Sequence, residues 1–208
     1  MAITRITDVK AVPAAAIGWG AWTSWKPADT EKALWNLRFF RQESGYGFHA
    51  EKILRQLRQV DRRLRESPEP VEPVRALAWI RNGLIAYILV GKFVGDYRPA
   101  TIAELTQAAE GRPRTGADFE VAKRSVTVAY GIDNRVRPKG SDAAVVSVQE
   151  EYSNARRKQT WGLVKETLLI PDCVDMIEVI GVTDDPELFG SVRNYVRQQI
   201  EWIKVTVA

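Results

Sequence analysis

The chain has 208 residues, of which 45% are hydrophobic and 27% charged, ordinary values for a globular protein of one moderate domain. The single cysteine, Cys173, excludes an internal disulfide and a thiolate metal cluster, and the single histidine, His49, excludes paired-histidine sites. No motif of nucleotide-binding proteins, serine hydrolases or zinc proteases occurs. We therefore expect neither enzymatic activity nor a cofactor.

Two stretches carry a local excess of positive charge, although the net charge of the chain is only +4. Residues 112–139 contain seven basic and three acidic side chains, and residues 52–65 contain six basic side chains and one acid. Such excesses suit a polyanion such as nucleic acid. They are equally typical of solvated helix faces, and charge alone does not distinguish the two.

No membrane or targeting segment is predicted. Residues 1–16 lack the basic start and long apolar run of a signal peptide. The most hydrophobic stretch, residues 83–91, is far shorter than the roughly 20 apolar residues that a membrane span needs. We expect no contact with a membrane.

In chain order, the pattern predicts a mostly helical protein. A tryptophan-rich arm is followed by helices over about 30–42 and 49–66, then by a helix over 74–94 that is apolar nearly all round. A short helix is predicted over 101–109, a long one from about 117, and another over 143–158, while 167–182 fits a strand or a helix. Asp184-Asp185-Pro186-Glu187 is a strong start signal for a last helix.

These elements predict an all-α protein with little or no β-structure: an elongated antiparallel four-helix bundle. We divide it into an N-terminal arm (1–28) that contacts other subunits, a bundle core (29–136) and a C-terminal extension (137–208). The extension is predicted to be mostly helical and to lie at the outer radius of an assembly. Within the core, residues 96–125 are the predicted inner, RNA-binding region.

Residues 95–125 combine a short helix, an arginine-rich loop and the start of a longer helix. A helix N-terminus presents free N–H groups and a positive dipole, both of which favour phosphate. On a helix, Asp118, Val121, Ala122 and Ser125 would share one face. Such a face, flanked by arginines, could hold a base and a ribose.

Several short motifs in this region resemble the coat proteins of rod-shaped plant RNA viruses, the tobamovirus-like virgaviruses. The hordeivirus pattern resembles three successive parts of this chain: Thr101–Leu105, an arginine-containing loop and Ala122-Lys123-Arg124. Asp118–Ser125 is similar to the tobamovirus run in which an Asp precedes Val-Ala-x-Arg-Ser, and Asp96-Tyr97-Arg98 looks like its Asp-x-Arg. The size and arm lengths look closest to pecluviruses, the peanut clump group. This chain departs from the tobamovirus pattern at Ala100, where that group has a second arginine.

The resemblance implies a structural capsid protein that polymerises helically around single-stranded genomic RNA, largely independently of sequence, to form a rigid rod. Its partners would be itself and viral RNA, and its location the virion, with assembly in the host cytoplasm. An alternative is a non-viral helical-bundle protein that binds nucleic acid or self-assembles. A third possibility, an enzyme with an unrecognised site, predicts a ligand-sized pocket with convergent polar groups.

Carried over residue by residue, the resemblance implies an RNA site. Arg98 and Arg114 would contact phosphates, Asp118 a ribose or base, and Val121 a base, with Arg124 and Ser125 completing the site. Two alternatives stay open. Arg124 could pair with Glu120 within a helix, and Val121 could be part of the core.

Two acids in the same region, Glu104 and Glu110, are predicted to form a carboxylate switch at the inner radius. Like charges brought close by subunit stacking raise each other's pKa, so assembly would weaken as the pH rises. Calcium could bridge the two carboxylates, and no other metal site is predicted. The alternative is that both acids are solvated or paired with Arg112 or Arg114.

Overall fold

The computed structural model describes residues 4–11, 22–25, 71–80, 84–96, 98–111, 120–130, 143–154 and 159–208. Within these ranges the protein consists mainly of antiparallel β-strands, with two α-helices. The predicted all-α four-helix bundle is therefore wrong. The helices predicted over 30–42 and 49–66 lie outside the described residues, so the correction rests on the other elements.

The described elements follow each other in the order of their labels. The strands are β1 (Ile6–Lys10), β2 (Trp22–Trp25), β3 (Val71–Ile80), β4 (Leu84–Phe93), β5 (Glu120–Tyr130), β6 (Ala144–Asn154), β7 (Gln159–Leu169), β8 (Met176–Thr183) and β9 (Lys204–Val207). Helix α1 (Ile102–Glu110) lies between β4 and β5. Helix α2 (Phe189–Trp202), which follows a 3₁₀ turn (Pro186–Leu188), lies between β8 and β9.

Seven strands form one sheet in the order β2-β3-β4-β8-β7-β6-β5, and all neighbours in it are antiparallel. Strands β5 to β8 are a meander, and β8 then pairs with β4. Strands β1 and β9 form a separate antiparallel pair. Strands from the predicted arm, core and extension thus pair with one another across the predicted boundaries.

Helix α2 covers one face of the seven-stranded sheet, which we call the α2 face. Its side chains Val192, Val196 and Ile200 are fully buried in the main hydrophobic cluster. The strands contribute alternate residues to this cluster, as the pleat of a strand requires. They include Ile88, Val90, Val145, Val164, Ile177 and Val179.

Helix α1 packs on the opposite face, near β5 and β6, and we call this the α1 face. Its apolar side chains Ile102, Leu105 and Ala109 lie against the buried residues Val146, Leu169 and Met176. Val126 and Val128 of β5 complete this second, smaller cluster. Among the described elements, the sheet is therefore the middle layer, with one helix on each face.

The residues predicted as one central helix, 74–94, instead belong to the hairpin of β3 and β4. A run of apolar residues is typical of a strand covered on both faces as well as of a buried helix. Only residues 81–83 separate the paired strands, and Asn82-Gly83 is a dipeptide typical of hairpin turns. That dipeptide is the local signal that separates the two interpretations.

The helices predicted from residue 117 and over 143–158 are also wrong, because their described residues form β5 and β6. From Ser125 to Val128, hydroxyl residues alternate with valines, a period of two rather than 3.6. The ambiguous stretch 167–182 forms parts of β7 and β8. The C-terminal extension is thus mostly strand where it is described.

Two helix predictions are confirmed, and both begin at strong local signals. Thr101 and Glu104 form a capping box at the start of α1, in which each side chain bonds the backbone N–H of the other. Asp185 caps the turn before α2 by accepting a 2.9 Å bond from the N–H of Glu187. Neither described helix has the length and apolar content to cross a membrane.

A buried carboxylate connects the two sheets. Asp175, 1% exposed, lies in the link between β7 and β8. It accepts hydrogen bonds from the Arg5 guanidinium at 2.8 Å and from the backbone N–H groups of Ile6 at 2.9 Å and Gly95 at 3.2 Å. The backbone of Val174 lies so close to Gly95 that a Cβ would not fit there. The strand β1 and the end of β4 are therefore held at one carboxylate.

Replacing Gly181 of β8 by alanine should destabilise the protein, because α2 lies directly over this residue. An added Cβ would stand 2.6 Å from methyl carbons of Val192 and Val196. Overpacking of this kind costs about 1–3 kcal/mol. The measurement is urea unfolding, in which the midpoint should fall while the slope is unchanged.

The matched control for this substitution is Gly190→Ala in the first turn of α2, where an added Cβ meets nothing within 4 Å. Alanine is the better helix former, so this variant should gain up to about 1 kcal/mol. Equal stability of Gly181→Ala and wild type would show that α2 does not depend on close contact with β8.

Candidate functional site

The structure separates the residues that were predicted to form one RNA site. Arg98 precedes α1, whereas Val121, Arg124 and Ser125 lie on β5. Arg114 and Asp118 lie outside the described residues, so their predicted contacts remain predictions. The helix that was to carry residues 121 to 125 is a strand, and its geometry does not put them on one face.

Arg98 is bonded to an acid of its own chain. Its guanidinium contacts both carboxylate oxygens of Glu104, at the exposed start of α1. The hydrogen bond from Arg98, together with those from the backbone and hydroxyl of Thr101, lowers the pKa of Glu104 to about 2. The same contact raises the pKa of Arg98. In the single chain, the cation predicted to bind phosphate therefore neutralises a capping carboxylate.

Glu104 and Glu110, which were predicted to form a carboxylate switch, lie at opposite ends of α1. Glu104 is in the first turn and Glu110 is the last residue of the helix. The lowered pKa of Glu104 is opposite in sign to what mutual repulsion would give. Among the residues that the structure describes, no group of three or more histidine, cysteine or acidic side chains could hold a metal ion.

Arg124 joins the end of α1 to the sheet. Its guanidinium donates to the last two carbonyls of the helix, those of Ala109 and Glu110, and to that of the capping residue Gly111, whose oxygen is 2.5 Å away. Its Nε lies 2.9 Å from Oε1 of Glu150 on the neighbouring strand β6. A cation at these carbonyls satisfies acceptors that the helix leaves free and complements its dipole.

Glu150 is the acid at the centre of this arrangement, and its side chain is 7% exposed. It accepts a hydrogen bond from the hydroxyl of Tyr152, whose pKa is raised by burial and by the Glu150 carboxylate. The Tyr152 ring stacks on Trp161 of β7 with 3.9 Å between the ring centroids. Arg124 therefore pairs with Glu150 on the neighbouring strand, in place of the predicted alternative, a pair with Glu120 within a helix.

Val121 and Ser125 lie on opposite faces of β5. Val121 is paired with Tyr152, and Ser125 with Gln149, three residues apart on β6. The register shifts between Val121 and Lys123, which indicates a β-bulge at Ala122. Beyond this bulge, Ser125 and Thr127 are exposed on the α2 face, while Val126 and Val128 are half-buried on the α1 face.

Strand β5 stands at one end of the sheet order, with no further strand beside it among the described residues. It is eleven residues long, whereas β2 at the other end has four. An edge strand offers backbone N–H and C=O groups to another strand. The only sequence signal for this site is the alternation from Ser125 to Ala129, which also predicts a strand but does not reveal its place in the sheet.

One cleft opens beside the start of α2, with a volume of about 170 Å³. This is below the roughly 300–1,000 Å³ of ligand pockets. Its lining includes Glu151, Ser153 and Thr160 beside Tyr152 and Trp161, and Lys123 lies 3.6 Å from the one acid, Glu151. Burial raises the pKa of Cys173 elsewhere in the fold, which disfavours the reactive thiolate. Neither place presents the convergent polar groups that the enzyme alternative predicts.

No model of a known protein family matches the chain, and no curated protein is significantly similar to it. The resemblance to rod-shaped virus coat proteins therefore stays a prediction from short motifs.

Removing the Arg124 side chain should destabilise the fold. Arg124→Ala would leave Glu150 buried without its cation and the end of α1 without its donors. Loss of one partner from such a buried pair costs about 2–3 kcal/mol. Thermal and urea unfolding, without any nucleic acid, measure this loss.

Lys123→Ala is the matched control, since Lys123 pairs with the neighbouring acid Glu151 at 3.6 Å and its side chain is 76% exposed. An exposed pair contributes less than about 1 kcal/mol. If both alanine variants unfold like wild type, Arg124 has no structural role and is available for another partner.

Acid should weaken the contribution of Glu104 to stability. Its pKa is lowered from 4.5 to about 2 in the folded chain, so its stabilising effect is present above about 4.5 and lost as the pH falls towards 2. The stability difference between wild type and Glu104→Gln should therefore shrink over that range. Carboxyl NMR titration measures the midpoint directly, and Arg98→Gln should raise it. A wild-type midpoint above 4.5 would contradict the ion pair.

Proposed function

We propose that this protein is a non-catalytic structural subunit that assembles through the β5 edge of its sheet. The observation that supports the proposal is the length and chemistry of β5 at the end of the described strand order. Its second half, Ser125–Tyr130, contains no charged residue. Such a segment favours pairing with another strand, through backbone hydrogen bonds and cross-strand side-chain contacts.

The two halves of β5 differ in a way that supports this use. The first half carries the devices that discourage pairing at an edge: charged residues, Glu120 and Lys123, and the irregularity before Lys123. The second half lacks them. Val126 and Val128 are β-branched, half-buried and packed beside α1, so an added strand would continue the apolar layer on this face.

The function implied by the resemblance, a helical coat around RNA, shares self-assembly with this proposal but not the fold. The four-helix bundle that would thread RNA between radial helices is wrong for the described chain. RNA binding stays a prediction, since most of residues 112–139 and all of 52–65, the basic stretches, lie outside the described residues. Nuclease protection of RNA by the assembled protein would support it.

A lysine at the middle of the uncharged half should prevent assembly without unfolding the subunit. Thr127 is exposed on β5, so Thr127→Lys keeps the core intact and adds a charge at the edge. Wild type should show concentration-dependent association by analytical ultracentrifugation, and the variant should remain monomeric. Circular dichroism and urea midpoints should match.

The control is Thr206→Lys, the same change at an exposed position of β9, in the other sheet. This variant should associate like wild type. A wild type that is monomeric at every concentration, or an equal effect of both lysines, would contradict assembly through β5.

A further inference from the structure

We infer that the partner of β5 is β5 of a second copy, paired antiparallel about a two-fold axis at Thr127. The inference rests on the proposed assembly through this edge and adds the partner and the register. It follows from three features of the strand: where its regular part begins and ends, what lies on each face, and where its charges stand.

The regular part of β5 has a defined midpoint. Beyond the register shift, the strand pairs without interruption with β6 from Lys123 to Tyr130. Lys123 adjoins the irregularity, so the seven residues from Arg124 to Tyr130 remain, and Thr127 is the central one. A two-fold axis there lets every residue of this segment take part. An axis nearer the start would draw the bulge into the pairing and shorten it.

The sequence around this midpoint is close to a palindrome, Ser125-Val126-Thr127-Val128-Ala129. Antiparallel pairing about Thr127 sets Thr127 against itself, Val126 against Val128 and Ser125 against Ala129. Residues opposite each other share a face, so the four valines of two copies would lie side by side on the α1 face. They would join the two α1-face clusters into one apolar layer, since Val126 and Val128 already pack in that cluster.

The charges of β5 favour the same axis. With Thr127 at the centre, Arg124 stands opposite Tyr130, and Lys123 and Glu120 fall beyond the paired segment. An axis at Arg124 or Lys123 would instead set a cation directly against its own copy, which is destabilising. The two-fold axis at Thr127 therefore combines the longest regular pairing with no like-charge contact.

Cysteine cross-linking tests both the partner and the register. At the axis, two copies of residue 127 have Cα atoms about 4.5 or 5.5 Å apart, depending on the hydrogen-bond pattern, and a disulfide accepts about 4.4–6.8 Å. Thr127→Cys should therefore form a covalent dimer on mild oxidation, and Thr206→Cys should not. The native Cys173 is buried, with a raised pKa, and is present in both proteins.

The register has its own control. A mixture of Ser125→Cys and Ala129→Cys proteins should form the cross-linked heterodimer, because these positions oppose each other. Ala129→Cys alone should not, since its copies would be four residues out of register, about 13 Å apart. Association without the Thr127→Cys dimer, or with efficient Ala129→Cys self-linkage, would overturn this inference while leaving assembly intact. A monomeric wild type would overturn both.

Discussion

One buried carboxylate, Asp175 in the link before β8, joins the start of β1 to the chain just after β4. Its oxygens accept bonds from Arg5, Ile6 and Gly95, three donors that come from two separate parts of the chain. A carboxylate that is 1% exposed is tolerated only when it is paired and hydrogen-bonded. These bonds, together with the backbone bond from the Val174 N–H to the Thr4 carbonyl, position β1 and with it the pairing of β1 and β9 that follows α2.

The two helices and the pair of β1 and β9 cover the faces of the seven-stranded sheet. Helix α2, β1 and β9 contribute Val196, Ile6 and Val205 to the cluster on one face, while α1 covers part of the other. Arg124 then fastens the end of α1 to β6 through Glu150, beside the edge of the sheet. Helix α1 is thereby held next to β5, beside Val126 and Val128. The faces are used for folding, whereas the outer side of β5 pairs with no described strand.

The sequence predicts the elements whose causes are local and misses those whose causes are distant. The capping box of Thr101 and Glu104 and the Asp185-Pro186 start lie within a few residues, so α1 and α2 could be predicted. Strands β3 and β4 were missed because their apolar run also fits a buried helix, although Asn82-Gly83 is a local hairpin signal. Strand β4 pairs in addition with β8, which lies far along the chain. The predicted site failed for a related reason. Arg124 looks like a free cation in the sequence because its partner, Glu150, lies 26 residues away, on a strand that was predicted as helix.

The symmetry of the inferred pairing limits what this edge can build. Two copies joined about a two-fold axis use the same strand on both sides, so the contact is closed and ends at a dimer. A rod needs in addition a contact between different surfaces, which repeats without closing. Pairing at Thr127 would therefore form a dimer that could be the repeating unit of a larger assembly, but it would not by itself extend that assembly. Any helical growth around RNA, as the short motifs predict, would require a second surface on the same subunit, separate from β5.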